Sequence, residues 1–560
     1  MPVLISRWQF AVTILFHFLF VPLTIGLALL VAIMQTLAYR HHDGEWDRLA
    51  RFFGELFLIN FALGVVTGIV QEFQFGMNWS NYSVFVGNIF GAPLAIEGLL
   101  AFFMESTFIG LWIFGRNRLS ARLHLASIWL VSLGTILSAL FILAANAWMQ
   151  HPVGYRIVGH KALLTNFWAL FENTTLWAEF SHTLLAAIIT GAMFVLGVAA
   201  WHLLRLGRGA GAGGPGQGAP AVVPAAGATI GSPAASSDTT SALLAAASSS
   251  DPSAGDLLTG DASDHGRGAP GRALDESAPG DPARPYRRVA RLAAAIALVA
   301  TVLVITTGDI QARLMDVQQP MKMAAAEALY HTQSGASFSL LTIGNLSGQP
   351  IFQIRVPHLL SLIADLSYNG KVAGIDNVQR AEAAKYGPGS YVPIIWVTYW
   401  SFRLMVGLGG LLLVASAWAL WLSRRRARYR LEQSRWTLWA LVACIAAPFL
   451  ANSFGWIFTE MGRQPWIVYG LMKTSAAVSP NLTTAAAALS LGGFTIVYSI
   501  LGAIDASLML RAARRGIAEA GAAVPGGGSP GAGSASGEPA PDALAAVGGS
   551  ERETADALVY

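Results

Sequence analysis

The sequence predicts an all-α fold, a polytopic membrane helix bundle of about nine transmembrane helices with its N-terminus outside and its C-terminus in the cytoplasm. Three observations predict it. The 560 residues are 54% hydrophobic and only 12% charged, against roughly 25% charged in soluble domains, so lipid is the main solvent of the chain. Nine stretches match or approach the roughly 20 apolar residues of a spanning helix: 10–39, 52–75, 92–115, 124–147, 177–206, 289–308, 391–422, 436–459 and 484–510. Arginines cluster in alternate connections, which is the topology signature of membrane proteins.

Those clusters set the expected orientation. Arg40, Arg48 and Arg51 follow the first helix, and Arg116, Arg118 and Arg122 the third. Arg205 and Arg208 follow the fifth, and Arg284, Arg287, Arg288 and Arg291 precede the sixth. Arg424, Arg425, Arg426, Arg428 and Arg430 follow the seventh, and Arg511, Arg514 and Arg515 the ninth. All fall on one side, which the positive-inside rule places in the cytoplasm. The first apolar run is too long for a cleaved signal, has only Arg7 before it and lacks a small-residue cleavage site, so it reads as a retained helix.

The expected organisation is helices one to five over 1–206, a disordered cytoplasmic insertion at 207–285, helix six at 286–308, an extracytoplasmic loop at 309–390, helices seven to nine over 391–515, and a disordered tail at 516–560. The insertion and tail are rich in Ala, Gly, Ser and Pro, with too little apolar surface to offset their ordering entropy. The outer loop mixes Met, Tyr, Phe, Ile and Leu with Lys322, Glu327, Arg355, His358 and Asp365, which suits a folded cap on the membrane surface. The net charge of +4 is too small to argue for nucleic acid. One cysteine, Cys444, excludes a disulfide, a four-cysteine iron–sulfur cluster and a Cys-x-x-Cys-His haem attachment.

Charged or metal-binding groups inside spans are costly and rare, so each is a candidate for function. His17 lies in LFHFLFVPLT with no charge nearby, as a haem axial ligand or as a packing histidine. His182, three residues after Glu179, and Met405 fall at similar depth on the fifth and seventh helices, and a His/Met pair suits a six-coordinate, low-spin haem. Arg403 could pair with a haem propionate. Glu97 and Glu105 are eight residues apart, about 12 Å and roughly 80° on an ideal helix, which suggests a proton path that Ser138 extends, the alternative being a pair of hydrogen-bonded structural carboxyls. Glu460 could ligate a high-spin haem, with Arg463 neutralising a propionate or the carboxylate itself. Trp456, one turn earlier, could lie between haems or at the membrane interface.

HFLFVPLT, NFALGVVTGIVQEFQFGMNWS, GNIFGAPLAIEGLLAFFMEST, LSALFILAANAWMQ, HTLLAAIITGAMF and TEMGRQPW closely resemble subunit I of the cytochrome bd quinol oxidases, and the likeness runs from Ser6 to about Arg515. The resemblance implies two haems b, one low-spin and one high-spin, and one haem d. His182 and Met405 would ligate the low-spin haem. His17 would take haem d and Glu460 the high-spin haem b, the reverse assignment being the alternative. Glu97 would be a further ligand or the last proton carrier, with Glu105 and Ser138 on the cytoplasmic proton route. QQPMKMAAAEALY corresponds to the family's quinol loop, so Lys322 and Glu327 would be quinol-site residues, with the lysine tuning the carboxylate. The loop is short compared with the family's long-loop members.

The implied activity is oxidation of membrane quinol at the outer face and reduction of O2 to water with cytoplasmic protons, without pumping. The implied setting is a bacterial cell membrane, in a heterodimer with a subunit II and sometimes a small accessory subunit. The 207–285 insertion has no counterpart in the resemblance and is expected to be dispensable. A cofactor-free secondary transporter with buried carboxylates is the alternative, but no inverted repeat is visible and a His/Met pair has no role in it. A haem–copper oxidase or di-haem cytochrome b needs more intramembrane histidines than His17 and His182.

Overall fold

The structure is a computed structural model that describes residues 1–212, 281–346, 350–424 and 431–517. Nine helices among them are long and apolar enough to cross a membrane. These are α1 (Pro2–His41), α2 (Gly44–Met77), α3 (Ser80–Phe114), α4 (Ala121–Gln150), α5 (Thr174–Ala212), α6 (Arg284–Gln318), α10 (Ile395–Leu422), α11 (Arg435–Gly462) and α12 (Thr484–Arg515). Three shorter helices, α7 (Pro320–Glu327), α8 (Leu359–Asp365) and α9 (Ile375–Tyr386), lie between α6 and α10. The expected disordered segments fall mostly on 213–280 and 518–560, outside the described residues.

Helix α3 starts twelve residues before its expected bound because its polar residues find partners. Asn81 donates to the Ala476 carbonyl, Ser83 to the Phe75 carbonyl, and Asn88 accepts from the Leu164 amide. Helix α6 runs ten residues past its expected end, so its 35 residues reach about 52 Å against a hydrocarbon core of about 30 Å. Asp309 and Arg313, an i,i+4 ion pair, sit on that projecting part. Helix α10 starts later than expected, after an extended segment in which Tyr391 stacks on Trp466. Two helices are interrupted: α3 by a π-helical stretch at Glu97–Phe102, and α11 at Cys444–Ile445.

The described arginines of the clusters named above gather at one end of the bundle, called the inner end below, where ion pairs tie the connections together. Arg288 reaches Asp43 and Glu45, Arg287 reaches Glu432, Arg116 reaches Asp47, and Arg515 reaches Glu55. The largest core lies towards this end, built from Leu27, Phe53, Phe57, Val195, Leu196 and Ala293 with their neighbours. At the outer end, the described residues form four two-stranded antiparallel sheets: β1 (Tyr155–Val158) with β2 (Lys161–Leu164), β3 (Gln333–Ser334) with β6 (Lys371–Val372), β4 (Phe338–Gly344) with β5 (Pro350–Val356), and β7 (Trp466–Val468) with β8 (Met472–Lys473).

Helices α1 and α5 cross at Gly26 and Gly191. A Cβ built on Gly26 would lie 2.8 Å from Gly191 Cα, so the helices approach as closely as small residues allow. A Gly191→Val substitution should force them apart at a cost of about 1–3 kcal/mol, the usual penalty for overpacking. It should appear as a lowered Tm of the purified complex, and an unchanged Tm would count against this crossing.

Candidate functional site

A cavity of about 580 Å³ opens between α1, α5, α6, α10 and α11. That volume is within the range of about 300–1,000 Å³ typical of small-molecule sites. His182, Met405, Trp456, Glu179, Lys322 and Gln150 are among the residues that line it. His182 and Met405, from separate helices, thus share one chamber. Met405 has room because Gly455 faces it on α11, where an added Cβ would come within 2.9 Å of Sδ.

The tautomer of His182 follows from its neighbour. The Thr307 hydroxyl donates to the Val304 carbonyl, so its oxygen accepts from His182 Nδ1–H at 3.1 Å. The lone pair of the neutral ring is then on Nε2, the form a metal ion needs. His17 repeats the arrangement. Thr67 donates to the Gly64 carbonyl and accepts from His17 Nδ1–H at 2.9 Å. In both places a glycine follows the threonine and leaves space beside the imidazole: Gly68 at His17 and Gly308 at His182.

Helix α1 packs on α11. Phe18 lies against Trp456, with ring centroids 5.6 Å apart, and Arg7 reaches Met461 Sδ at 3.8 Å. Glu460 therefore sits about one turn nearer the outer end than His17. It accepts from Asn146 at 3.3 Å and pairs with Arg463. Trp456 is an internal residue rather than an interface aromatic, since its Nε1 is buried without a partner among the described residues. Arg463 is 2% exposed, yet its Nε and Nη1 make no hydrogen bond.

Arg403 pairs with Glu327, with 2.8 Å between the charged groups, and lies over the rings of Phe338, Tyr399 and Phe402. None of its guanidinium nitrogens makes an aligned hydrogen bond. Lys322 and Glu327 do not pair with each other, so the expectation that this lysine tunes this carboxylate is corrected. Five residues on a short helix send them to opposite partners. Lys322 donates to Gln150 Oε1 at 2.8 Å, while Glu327 accepts from the Ser339 amide at 2.9 Å and holds Arg403. Both are buried. Burial, reinforced by Arg463, pushes the Lys322 ammonium well below its usual pKa, with Glu179 and Glu460 opposing. Burial raises the Glu327 carboxyl above the ordinary range, with Arg403 as the main opposing charge.

Ser138 donates to Glu97 Oε1 at 2.6 Å, which joins α4 to the π-helical stretch of α3. That stretch corrects the ideal-helix estimate. A π turn takes up an extra residue, so Glu105 lags by roughly 100° and ends within about 20° of Glu97. Gly134, one turn from Ser138, makes room for Glu105, since an added Cβ would come within 2.6 Å of its Cγ. Glu72 of α2 lies close enough to Glu97 for their charges to interact. Reading charges within spans missed Glu72 because it sits near a helix end. It missed Thr67, Thr307, Asn146 and Gln150 because they are neutral; the only trace was a Thr-Gly pair, which Thr190–Gly191 of α5 also shows without a histidine facing it.

These donors fit haem. Two histidines offer Nε2 lone pairs, one thioether shares a chamber with His182, and two buried guanidinium groups keep donors free for propionates.

Comparison with known proteins agrees. The profile of cytochrome bd terminal oxidase subunit I matches residues 5–231 and 277–517, breaking only inside the expected insertion. The cytochrome bd ubiquinol oxidase subunit 1 of Bacillus subtilis (strain 168) is 41% identical over 514 residues, 91% of this chain and 93% of that protein. The cytochrome bd-II ubiquinol oxidase subunit 1 of Escherichia coli (strain K12) is 37% identical over 532 residues, 91% of this chain and 96% of that protein. The fold is shared with the solved bd oxidase of Geobacillus thermodenitrificans, with a TM-score of 0.72 and 24% identity over 92% of this chain and 98% of that one. The chain therefore belongs to the cytochrome bd terminal oxidase subunit I family, as a multi-pass protein of a bacterial membrane.

Proposed function

We propose that this chain is the haem-bearing subunit of a quinol:oxygen oxidoreductase that takes electrons from quinol at its outer end and delivers protons to O2 from its inner end. The observation that carries it is the shared chamber of His182 and Met405, with the His182 tautomer fixed by Thr307. In this reading the inner, arginine-rich end is cytoplasmic and the N-terminus is outside.

The haems, when bound, supply one-electron carriers and the iron that binds O2. His182 and Met405 hold the low-spin haem b, with Arg403 and Arg463 offering donors to propionates. His17 would hold haem d and Glu460 the high-spin haem b, with Glu97 a further ligand or the last proton carrier. Trp456 stands in the chamber wall against Phe18.

Quinol loses two protons and two electrons, so two quinols reduce one O2 to two waters. Glu327 accepts a quinol proton and Arg403 holds the resulting charge balance. Lys322, fixed on Gln150, keeps a donor near the substrate. Glu105, Ser138 and Glu97 carry the consumed protons from the inner side. Release outside and uptake inside separate charge without a pump. The chain works as a heterodimer with a subunit II, sometimes with a small accessory subunit.

The test is spectroscopic. The purified complex should show low-spin b and haem d bands on reduction, and a colourless protein made with full haem supply would end this reading. Thr307→Val, which keeps the shape and removes the hydroxyl, frees the His182 ring to take either tautomer. The low-spin signal should weaken and its haem dissociate about 10–100-fold more readily, while the haem d band persists. An unaltered low-spin spectrum would refute the tautomer argument.

For the inner route, Glu97→Gln should slow O2 reduction on the order of 10²-fold, the lower limit for losing a positioned acid–base group. Ser138→Ala should produce a smaller loss in the same direction. Oxygen-electrode rates with excess quinol measure both, and wild-type rates in the Glu97 variant would exclude the route.

For the outer site, Glu327 accepts a proton only when ionised, and burial holds its carboxyl above the ordinary pKa. The kcat/KM for quinol should therefore fall as pH drops through a value higher than the ~4.3 of a free glutamate. The residual activity of Glu327→Gln should lack that acid limb. An acid limb retained in the variant would assign the titration to another group.

A further inference from the structure

The β4–β5 hairpin is inside-out for a protein in water. Its register pairs Ser339 with Arg355, Leu341 with Ile354, Thr342 with Gln353, and Ile343 with Phe352. The two residues of the hairpin that are buried are polar, while Gln353 across from Thr342 is exposed. Ser339 and Thr342 are buried and bond each other at 3.0 Å, and Ser339 bonds the Tyr399 hydroxyl at 2.7 Å. The apolar pairs lie on the other side, where Ile343 is 45%, Phe352 50% and Ile354 43% exposed. Ile351, towards the tip, is 86% exposed, and Leu340 is half exposed. A half-buried hairpin in water shows the opposite arrangement, and an isolated two-stranded hairpin is at best marginal there.

The level of the hairpin is fixed by its base. Tyr399 is in the first turns of the spanning helix α10, and Trp396, one turn before it, is exposed beside exposed Ile394. An outward tryptophan at the start of a span marks the membrane–water boundary. Arg355, at the hairpin base, donates to Gln353 Oε1 at 3.1 Å, so the polar side chains of this strand gather at its base while Ile351, Phe352 and Ile354 are exposed, an arrangement open to a snorkelling cation. Exposed Leu362, Leu366 and Tyr368 continue the apolar surface on and just after α8.

We propose that the exposed face of the β4–β5 hairpin lies in the outer leaflet of the bilayer and forms the lipid-side entry by which quinol reaches Glu327. The same strand that offers Ile343 to lipid gives its Ser339 amide to Glu327 Oε2 and its Phe338 ring to Arg403. A long-tailed quinol reaching this pair from the membrane passes the hairpin. The entry role rests on the assignment of Glu327 to quinol oxidation; the depth of the hairpin does not.

The experiment attaches a nitroxide to Ile351→Cys in the whole complex in lipid nanodiscs, with the signal of the complex lacking that cysteine subtracted. Arg380→Cys, exposed on α9, is the water-facing control. The label at 351 should be relaxed several-fold more by oxygen than by a water-soluble nickel chelate, and the control should show the reverse. Nickel access at 351 equal to the control would place the hairpin in water. A label shielded from both would place it under a protein partner, and either result overturns the proposal. In a second arm, Ile351→Asp with Phe352→Asp should raise the apparent KM for a long-chain quinol several-fold and leave kcat with a short-chain quinol unchanged. An unchanged long-chain KM, with the label still in lipid, would remove the entry role and leave the assignment of Glu327 intact.

Discussion

The proton on Nδ1 of two imidazoles decides what this bundle can hold. A histidine in an apolar helix can carry its proton on either nitrogen, and only one choice leaves Nε2 able to bind iron. In each case a threonine hydroxyl makes the choice, because its own proton is already given to a backbone carbonyl one turn earlier. The acceptor is supplied by a neighbouring helix, α2 for His17 and α6 for His182, so the orientation of each imidazole becomes a property of helix packing. The glycines beside the threonines belong to the same device, since a side chain there would press on the ring.

The second constraint is the cost of charge away from water. Glu179, Lys322, Arg463 and Glu460 interact with one another, two acids and two bases around one end of the chamber. Removing one member of a buried pair typically costs about 3–5 kcal/mol because the other is left uncompensated. Neutral amides make up the difference: Gln150 takes the lysine, Gln319 binds Gln150, and Asn146 donates to Glu460. These groups bind the outer ends of α4, α6, α7 and α11 into one frame. Arg403 and Glu327 are a separate pair at the base of the hairpin, so the chamber and the hairpin are compensated independently.

The spans were legible because lipid requires a long apolar run whatever its neighbours are, and the arginine clusters marked one end for the same reason. The ends of spans were less so. Helix α3 hides its start behind Asn81, Ser83 and Asn88, which read as loop residues until their partners are known. Charged site residues stood out by their cost, and Lys322 and Glu327 stood out only through a matching segment. Their spacing suggested mutual tuning, but the direction each side chain takes depends on Gln150 and Arg403, which are distant in sequence. Thr67 and Thr307 were illegible for a simpler reason. Neutral, small and common in membrane helices, they acquire meaning only when a histidine on another helix faces them.

The π-helical stretch at Glu97 shows the same dependence in the backbone. An ideal helix would leave Glu97 and Glu105 roughly 80° apart, which suits two separate structural carboxyls as well as a path. The extra residue turns them towards one line, and α4 meets that line with Ser138 and Gly134, a donor for the first carboxylate and a space for the second. A π turn forgoes regular i→i−4 hydrogen bonds, so it persists where tertiary contacts stabilise it, frequently at functional sites. Here the contact is the Ser138–Glu97 bond. Two unrelated irregularities, a wide turn in α3 and a missing side chain in α4, thus serve one alignment, and that alignment favours a shared proton route over two independent buried acids.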